Sequence, residues 1–240
     1  MSNPVLLLRL EGNFQSWGDR SRFWNRETQV FPTKSAVIGL LFCAMGLSGE
    51  CKEELAQFAD MKMTSYRIGE KNKTPAPILS DFHMVGNGYS ESDPWQLECI
   101  PKTSEGKKAV NGGARLTRRE YLQNYRFAVL LEIPVEWMQR IEEGLKNPVW
   151  DIYLGRKNCI PSSNVFDGFY ANSDDAEKAI RNKLLEERIE KNSPELALLA
   201  MQRDAQLGDE STRILQDIPI AFGPRKQYRV RRVCEISINQ

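Results

Sequence analysis

The chain has 240 residues, with 33 Lys and Arg against 32 Asp and Glu, a net charge of +1. That length fits one larger domain or two small ones sharing a core. The balanced charge excludes a chain whose global field drives nucleic-acid binding, so any basic site must be local. One histidine, His83, and five scattered cysteines with no Cys-x-x-Cys pair argue against a zinc site, a disulfide framework and nuclease metal centres that need two or more histidines. No metal and no cofactor are expected. Val5 to Leu8 is too short for a signal peptide and is interrupted by Arg9, and no apolar run reaches membrane-spanning length. The expected compartment is cytoplasmic, with no membrane partner.

Val5 to Leu10 reads as a short buried strand closed by the Gly12-Asn13 turn signal. A loop follows in which Phe14, Trp17, Phe23 and Trp24 alternate with Arg20, Arg22 and Arg26. Ala36 to Met45 is apolar on nearly every side and reads as a buried helix. Its start, with Thr33, Lys34 and Ser35, suits a phosphate, since helix N-termini carry free N–H groups and positive potential. The same residues also read as an ordinary N-cap, and Trp17 as core rather than a stacking platform. Lys34-Ser35 resembles the end of a nucleotide-triphosphate loop, but the required glycines are absent.

Further along, Glu53 to Asp60 is an expected helix and Thr64 to Ile68 a strand. Ser80 to Thr117 is broken repeatedly by Gly and Pro, and Lys102, Lys107, Lys108, Arg115, Arg118 and Arg119 gather toward its end. This reads as an extended basic arm or hairpin. Tyr121 to Ile133 has strand character, with Phe127, Val129, Leu131 and Ile133 on one face, and Pro134 to Leu145 reads as an amphipathic helix. Trp150 to Leu154 is an expected strand before the Gly155-Arg156-Lys157 turn. Asp174 to Asp204 looks helical with a break at Ser193-Pro194, its charges most simply a solvated face. In the last strand, Gln227 to Ile238, Val230, Cys234, Ile236 and Ile238 share one face and Arg229 and Arg231 the other. The order strand, helix, strand, repeated, suggests an α+β, ferredoxin-like or RRM-like core, the fold family of RNA-recognition modules.

Six stretches then carry a resemblance in matching order: residues 8–18 (LRLEGNFQSWG), 31–41 (FPTKSAVIGLL), 81–83 (DFH), 118–122 (RREYL), 153–159 (YLGRKNC) and 224–228 (PRKQY). Together they resemble Cas family five in its type I-E form, the CasD-like subunits of CRISPR Cascade complexes within the RAMP superfamily. The resemblance implies a core over 1–146, with a thumb-like β-hairpin arm at about 80–117. A small C-terminal β-rich part over 147–240 would carry a charged helical insertion at about 174–204, where the chain departs from the family. It implies a non-catalytic RNA-binding subunit of an antiviral ribonucleoprotein. Such a subunit holds the 5′ handle of the CRISPR guide RNA (crRNA), caps the backbone subunit filament and packs against the PAM-reading large subunit. Target DNA is met only indirectly.

On that reading the RNA-binding residues are Lys34, Ser35, Arg118, Arg119, Tyr153, Arg156, Lys157, Arg225 and Lys226. Trp17, Arg22, His83, Lys107, Lys108 and Arg115 are RNA contacts or structural. The related type I-C subunits are metal-independent endoribonucleases with a Tyr/Lys/His-type acid–base set, which makes repeat-RNA cleavage the alternative activity. Within the type I-E pattern His83 is a structural or RNA-contacting residue.

Overall fold

The computed structural model describes residues 3–18, 24–71, 73–85, 92, 94, 102–107, 115–191 and 195–238. Arg22, Lys108 and most of the expected arm lie outside these, as does the side chain of Arg115.

Strand β1 (Val5–Glu11) is buried on both faces, which is why its sequence is an unbroken apolar run rather than an alternation. Leu6, Leu8 and Leu10 face one layer, with Phe127, Val129 and Leu131 and the inner faces of helices α1 (Lys34–Ala44), α2 (Lys52–Phe58) and α3 (Met138–Lys146). Phe42, Phe58 and Trp137 form the centre of that layer, with ring centroids 5.2–6.0 Å apart. Val5 and Leu7 face the opposite layer, where Ala176, Ile180 and Leu184 of α4 (Ser173–Lys191) cover Tyr66, Ile68, Leu130 and Leu198.

Around β1 the sheet has seven strands. β4 (Met63–Glu70), β7 (Arg126–Glu132), β8 (Phe166–Tyr170), β9 (Leu196–Asp204), β10 (Thr212–Ala221) and β11 (Gln227–Ser237) join it in the order β10-β11-β9-β4-β7-β1-β8, every neighbouring pair antiparallel. The fold is thus mixed α/β on antiparallel sheets. Strands from 147–240 complete one edge and build the other, so the 146/147 boundary falls inside a continuous sheet. A second, smaller sheet holds β2 (Phe14–Gln15), β3 (Asn25–Arg26), β5 (Leu79–Val85) and β6 (Arg115–Gln123).

Several expectations are corrected. The apolar run from Tyr121 to Ile133 is two strands, because Asn124 takes a left-handed conformation (φ 55°) that reverses the chain. Trp150 to Leu154 is not a strand; the edge strand comes later, as β8. Asp174 to Asp204 is half helix and half strand: Leu196 to Asp204 has helix-forming residues but is paired on both sides, with β4 and β11. α4 is also no free solvated rod. Its Glu177 accepts the Tyr66 hydroxyl at 2.6 Å, and its Glu187 pairs with Arg9. Burial pushes the Glu177 carboxyl up, but the Tyr66 hydroxyl and the Arg181 guanidinium outweigh this and hold it below the usual carboxylate range. In β11 Val230 is exposed and Arg231 buried, an exchange of apolar and charged residues confined to these two positions, since Arg229 is exposed and Cys234 buried.

The reason for that exchange is a charge network. Arg231 donates to both oxygens of buried Asp217 (3.0 and 2.7 Å) and to Asp204 (3.1 Å). Asp217 accepts the backbone N–H of Lys34 at 2.9 Å, and Asp204 that of Met63 at 3.1 Å. Lys34, 2% exposed, donates its ammonium to the carbonyls of Ala59 and Met61. The network therefore fastens the β10–β11 hairpin to the start of α1 and the start of β4.

Removing one partner of such a cluster strands a buried charge, so Asp217→Asn is expected to lower stability by about 3 kcal/mol in urea unfolding. Asp217→Leu combined with Arg231→Leu recovers most of that, and a loss below about 1 kcal/mol for Asp217→Asn contradicts the assignment. Burial pushes the Lys34 ammonium down to about 8 from 10.5, Arg231 adding to this and Asp204, Asp217 and Asp60 opposing it. Between those two values the unfolded chain holds the proton and the folded chain does not, so stability rises with pH across that window. The difference in unfolding free energy between the parent chain and Lys34→Met is expected to grow there by up to about 3 kcal/mol.

Candidate nucleic-acid interface

The small sheet is built outward from the segment after β1. The Gln15 amide donates to the carbonyls of Leu10 (3.1 Å) and Tyr125 (2.7 Å), tying β2 to the main sheet. Trp17 is fully buried; its indole N–H donates to Gln15 Oε1 at 3.2 Å and its backbone N–H to Thr28 Oγ1 at 2.8 Å. Trp17 is therefore core and carries no base. β3 runs parallel to β6, placing Asn25 beside Arg118 and Arg26 beside Arg119, while β5 runs antiparallel along the other edge.

Arg156 holds this arrangement. Its guanidinium donates to the carbonyls of Glu120 (3.0 Å) and Arg26 (2.6 Å) and lies 4.8 Å over the Tyr121 ring, whose hydroxyl accepts from the Asn158 amide at 3.1 Å. Gly155 makes the turn possible, since at φ 96° a Cβ would sit 1.8 Å from the Ser16 carbonyl oxygen. Arg156 thus clamps β3 to β6, its donors facing protein carbonyls rather than a free phosphate. A direct contact with phosphate, the role expected of it, would compete with these two carbonyls. Lys157, next to it, is exposed and has no partner among the described residues.

Lys34 is committed to protein partners in the same way. The helix start expected to be open is already occupied by Asp217, and the Lys34 ammonium is committed to two carbonyls. Ser35 is half-buried and 3.5 Å from the Thr33 hydroxyl. Tyr153 is half-buried in irregular chain, donating to Asp151 at 3.2 Å; burial and the Asp151 carboxylate push its phenol up. Arg225 and Lys226 are exposed at the tip between β10 and β11. Lys107 is exposed and pairs with Glu105 at 3.1 Å.

Along β5 and β6 the pleat separates two faces. Asp81, His83, Arg119 and Tyr121 lie on the face that Arg156 covers; the Thr117 hydroxyl donates to the His83 carbonyl at 3.4 Å, and no described residue bonds the imidazole. The opposite face holds Ser80, Phe82, Met84 and Arg118, all exposed. Phe82 is 66% exposed directly opposite Arg118, Met84 is 52% exposed, and Trp24, 62% exposed, accepts the Arg118 backbone N–H at 2.8 Å. The Phe82 ring, the Met84 thioether and the Arg118 guanidinium on one face of this sheet can stack a base and neutralise a phosphate. Trp24, Phe82 and Met84 were missing from the expected site. The signal for two of them was in the sequence, as apolar 82 and 84 between polar 81 and 83.

Among the described residues no group of His, Cys, Asp and Glu is placed to hold a metal, and no helix is long and apolar enough to cross a membrane.

Comparison with known proteins places this geometry in a family. The model of the family described as CRISPR-associated protein (Cas_Cas5) matches residues 5–234. The chain is 27% identical over 181 residues to the CRISPR system Cascade subunit CasD of Escherichia coli strain K12, covering 74% of this chain and 75% of that protein. In fold it is similar to a chain of a CRISPR RNA-guided surveillance complex (TM-score 0.68, 24% identity, 97% of this chain and 89% of that one). It is also similar to a crystal structure of a Cas protein (TM-score 0.56, 24% identity, 97% and 94%). The chain belongs to the CRISPR-associated Cas5 family.

Proposed function

We propose that this chain is a non-catalytic RNA-binding subunit of a type I-E Cascade. On this reading it holds the 5′ handle of the guide RNA and caps the backbone filament in the cytoplasm, against the terminal backbone subunit and the PAM-reading large subunit. The observation that carries the proposal is the exposed face of Phe82, Met84 and Arg118, on a sheet whose other face is locked by Arg156, with the exposed Trp24 at its β3 edge. Lys157, Arg225 and Lys226 are further exposed cations, Arg225 and Lys226 at the β10–β11 tip. The strands β4-β7-β1-β8, with β1 parallel to β4 and α1 and α3 in the crossovers, form the split βαβ arrangement of a ferredoxin-like core. RNA-recognition modules with that core stack bases on the sheet face. Here α4 covers that face, which directs RNA to the small sheet and the loops.

In the assembled complex, Phe82→Ala is expected to weaken guide RNA retention by about 5- to 100-fold, the cost of one lost base stack. Arg118→Gln should reduce the salt slope of RNA binding by about 0.7, as for one released counterion on a single strand. Both variants should leave the melting temperature unchanged, because their side chains are exposed; unchanged RNA retention in both refutes this face as the site. Repeat RNA incubated with the chain in EDTA should stay intact, and a defined cut lost in His83→Ala overturns the non-catalytic reading.

A further inference from the structure

Beyond the arm, a cavity of about 410 Å³ opens where β4 ends, between residues 73–76, the Asn124 turn and the start of β9. That volume lies within the roughly 300–1,000 Å³ range of small-ligand sites. Arg67, Lys73 and Arg126 line it with Asn124, Tyr125 and Thr74, against one carboxylate, Glu70. Glu70 is already taken by Lys73 at 2.7 Å, whereas Arg126 pairs with Glu187 at 3.7 Å and lies opposite Glu11 across the sheet. Arg67 has no ion pair with a described residue, and its Nε is buried without a hydrogen-bond partner.

A guanidinium N–H withdrawn from water and left without an acceptor is costly, so the group calls for an acceptor from outside the chain. Tyr125 offers a ring beside it, held at 5.8 Å against Phe127, and the Asn124 amide is exposed. An anion would be drawn by the excess of cations, and a planar group by the tyrosine.

We propose that this cavity is a nucleotide-binding site, in which Arg67 takes a phosphate and Tyr125 and Asn124 take the base. The phosphate belongs either to a free mononucleotide or to one residue of an RNA strand; the second source rests on the RNA-binding reading above, the first does not.

Amide NMR on the full chain, titrated with 5′-UMP, uridine and hexauridylate, tests it. UMP or hexauridylate is expected to shift the amides of Gly69, Asn124 and Tyr125, and uridine to leave them in place. Arg67→Gln should weaken the effect at least 10-fold and Lys73→Gln about 3-fold, both with unchanged circular dichroism. Shifts with UMP assign free nucleotides, and shifts with hexauridylate alone assign RNA. Phe82→Ala should leave the UMP response unaltered, so failure of the arm site is told apart from failure of the cavity. No shift with either phosphate-bearing probe, or equal affinity in Arg67→Gln, overturns the proposal.

Discussion

Asp217 sits buried between the guanidinium of Arg231 and the first N–H of α1, and that contact joins the last hairpin of the sheet to its first helix. A helix start left bare in an apolar core would expose unsatisfied donors, and a carboxylate there gains from both the hydrogen bond and the helix dipole. The carboxylate arrives on β10, 183 residues later in sequence, so the last hairpin is needed to finish the first helix. Arg231 carries the same demand to Asp204 on β9, and Asp204 passes it to the start of β4. The edge of the sheet is thereby fixed by charge where most edges are fixed by packing alone.

A second constraint decides what the sheet can be used for. Tyr66, Ile68 and Leu7 would be the surface on which an open α+β sheet receives bases, but Ala176, Ile180 and Leu184 close it. The Tyr66–Glu177 bond and the Arg9–Glu187 pair fasten α4 at two points along its length. With that face closed and the helix start filled, the Phe82 ring and the Arg118 guanidinium stay exposed side by side on the small sheet around β6. Arg156 makes that sheet rigid, and rigidity is what lets exposed rings bind without first being ordered.

Much of the framework could be read from the residues. The unbroken apolar run of β1, the all-round apolar α1 and the alternation of Phe127, Val129 and Leu131 each imply a buried, paired environment. Ordered motifs such as Phe-Pro-Thr-Lys-Ser and Tyr-Leu-Gly-Arg-Lys-Asn-Cys pointed to the family. Long-range partners were not legible. Nothing near Lys34 announces that Asp217 will cap it, so a filled helix start looked open. Nothing near Arg156 shows that two distant carbonyls will claim its guanidinium. Leu196 to Met201 has helical composition and became a strand because β4 and β11 each offered an open edge. Local sequence sets what a side chain can do; its partners decide which of those things remains available.

Protein contacts occupy the helix start and the sheet face beneath α4, so the proposed RNA contact falls to the small sheet. Photo-crosslinking of thiouridine-labelled guide RNA in the assembled complex, mapped by mass spectrometry, tests this most directly. The crosslinks should fall on peptides containing Trp24, Phe82 and Met84. Crosslinks concentrated at residues 33–36, or at Tyr66 beneath α4, would contradict it.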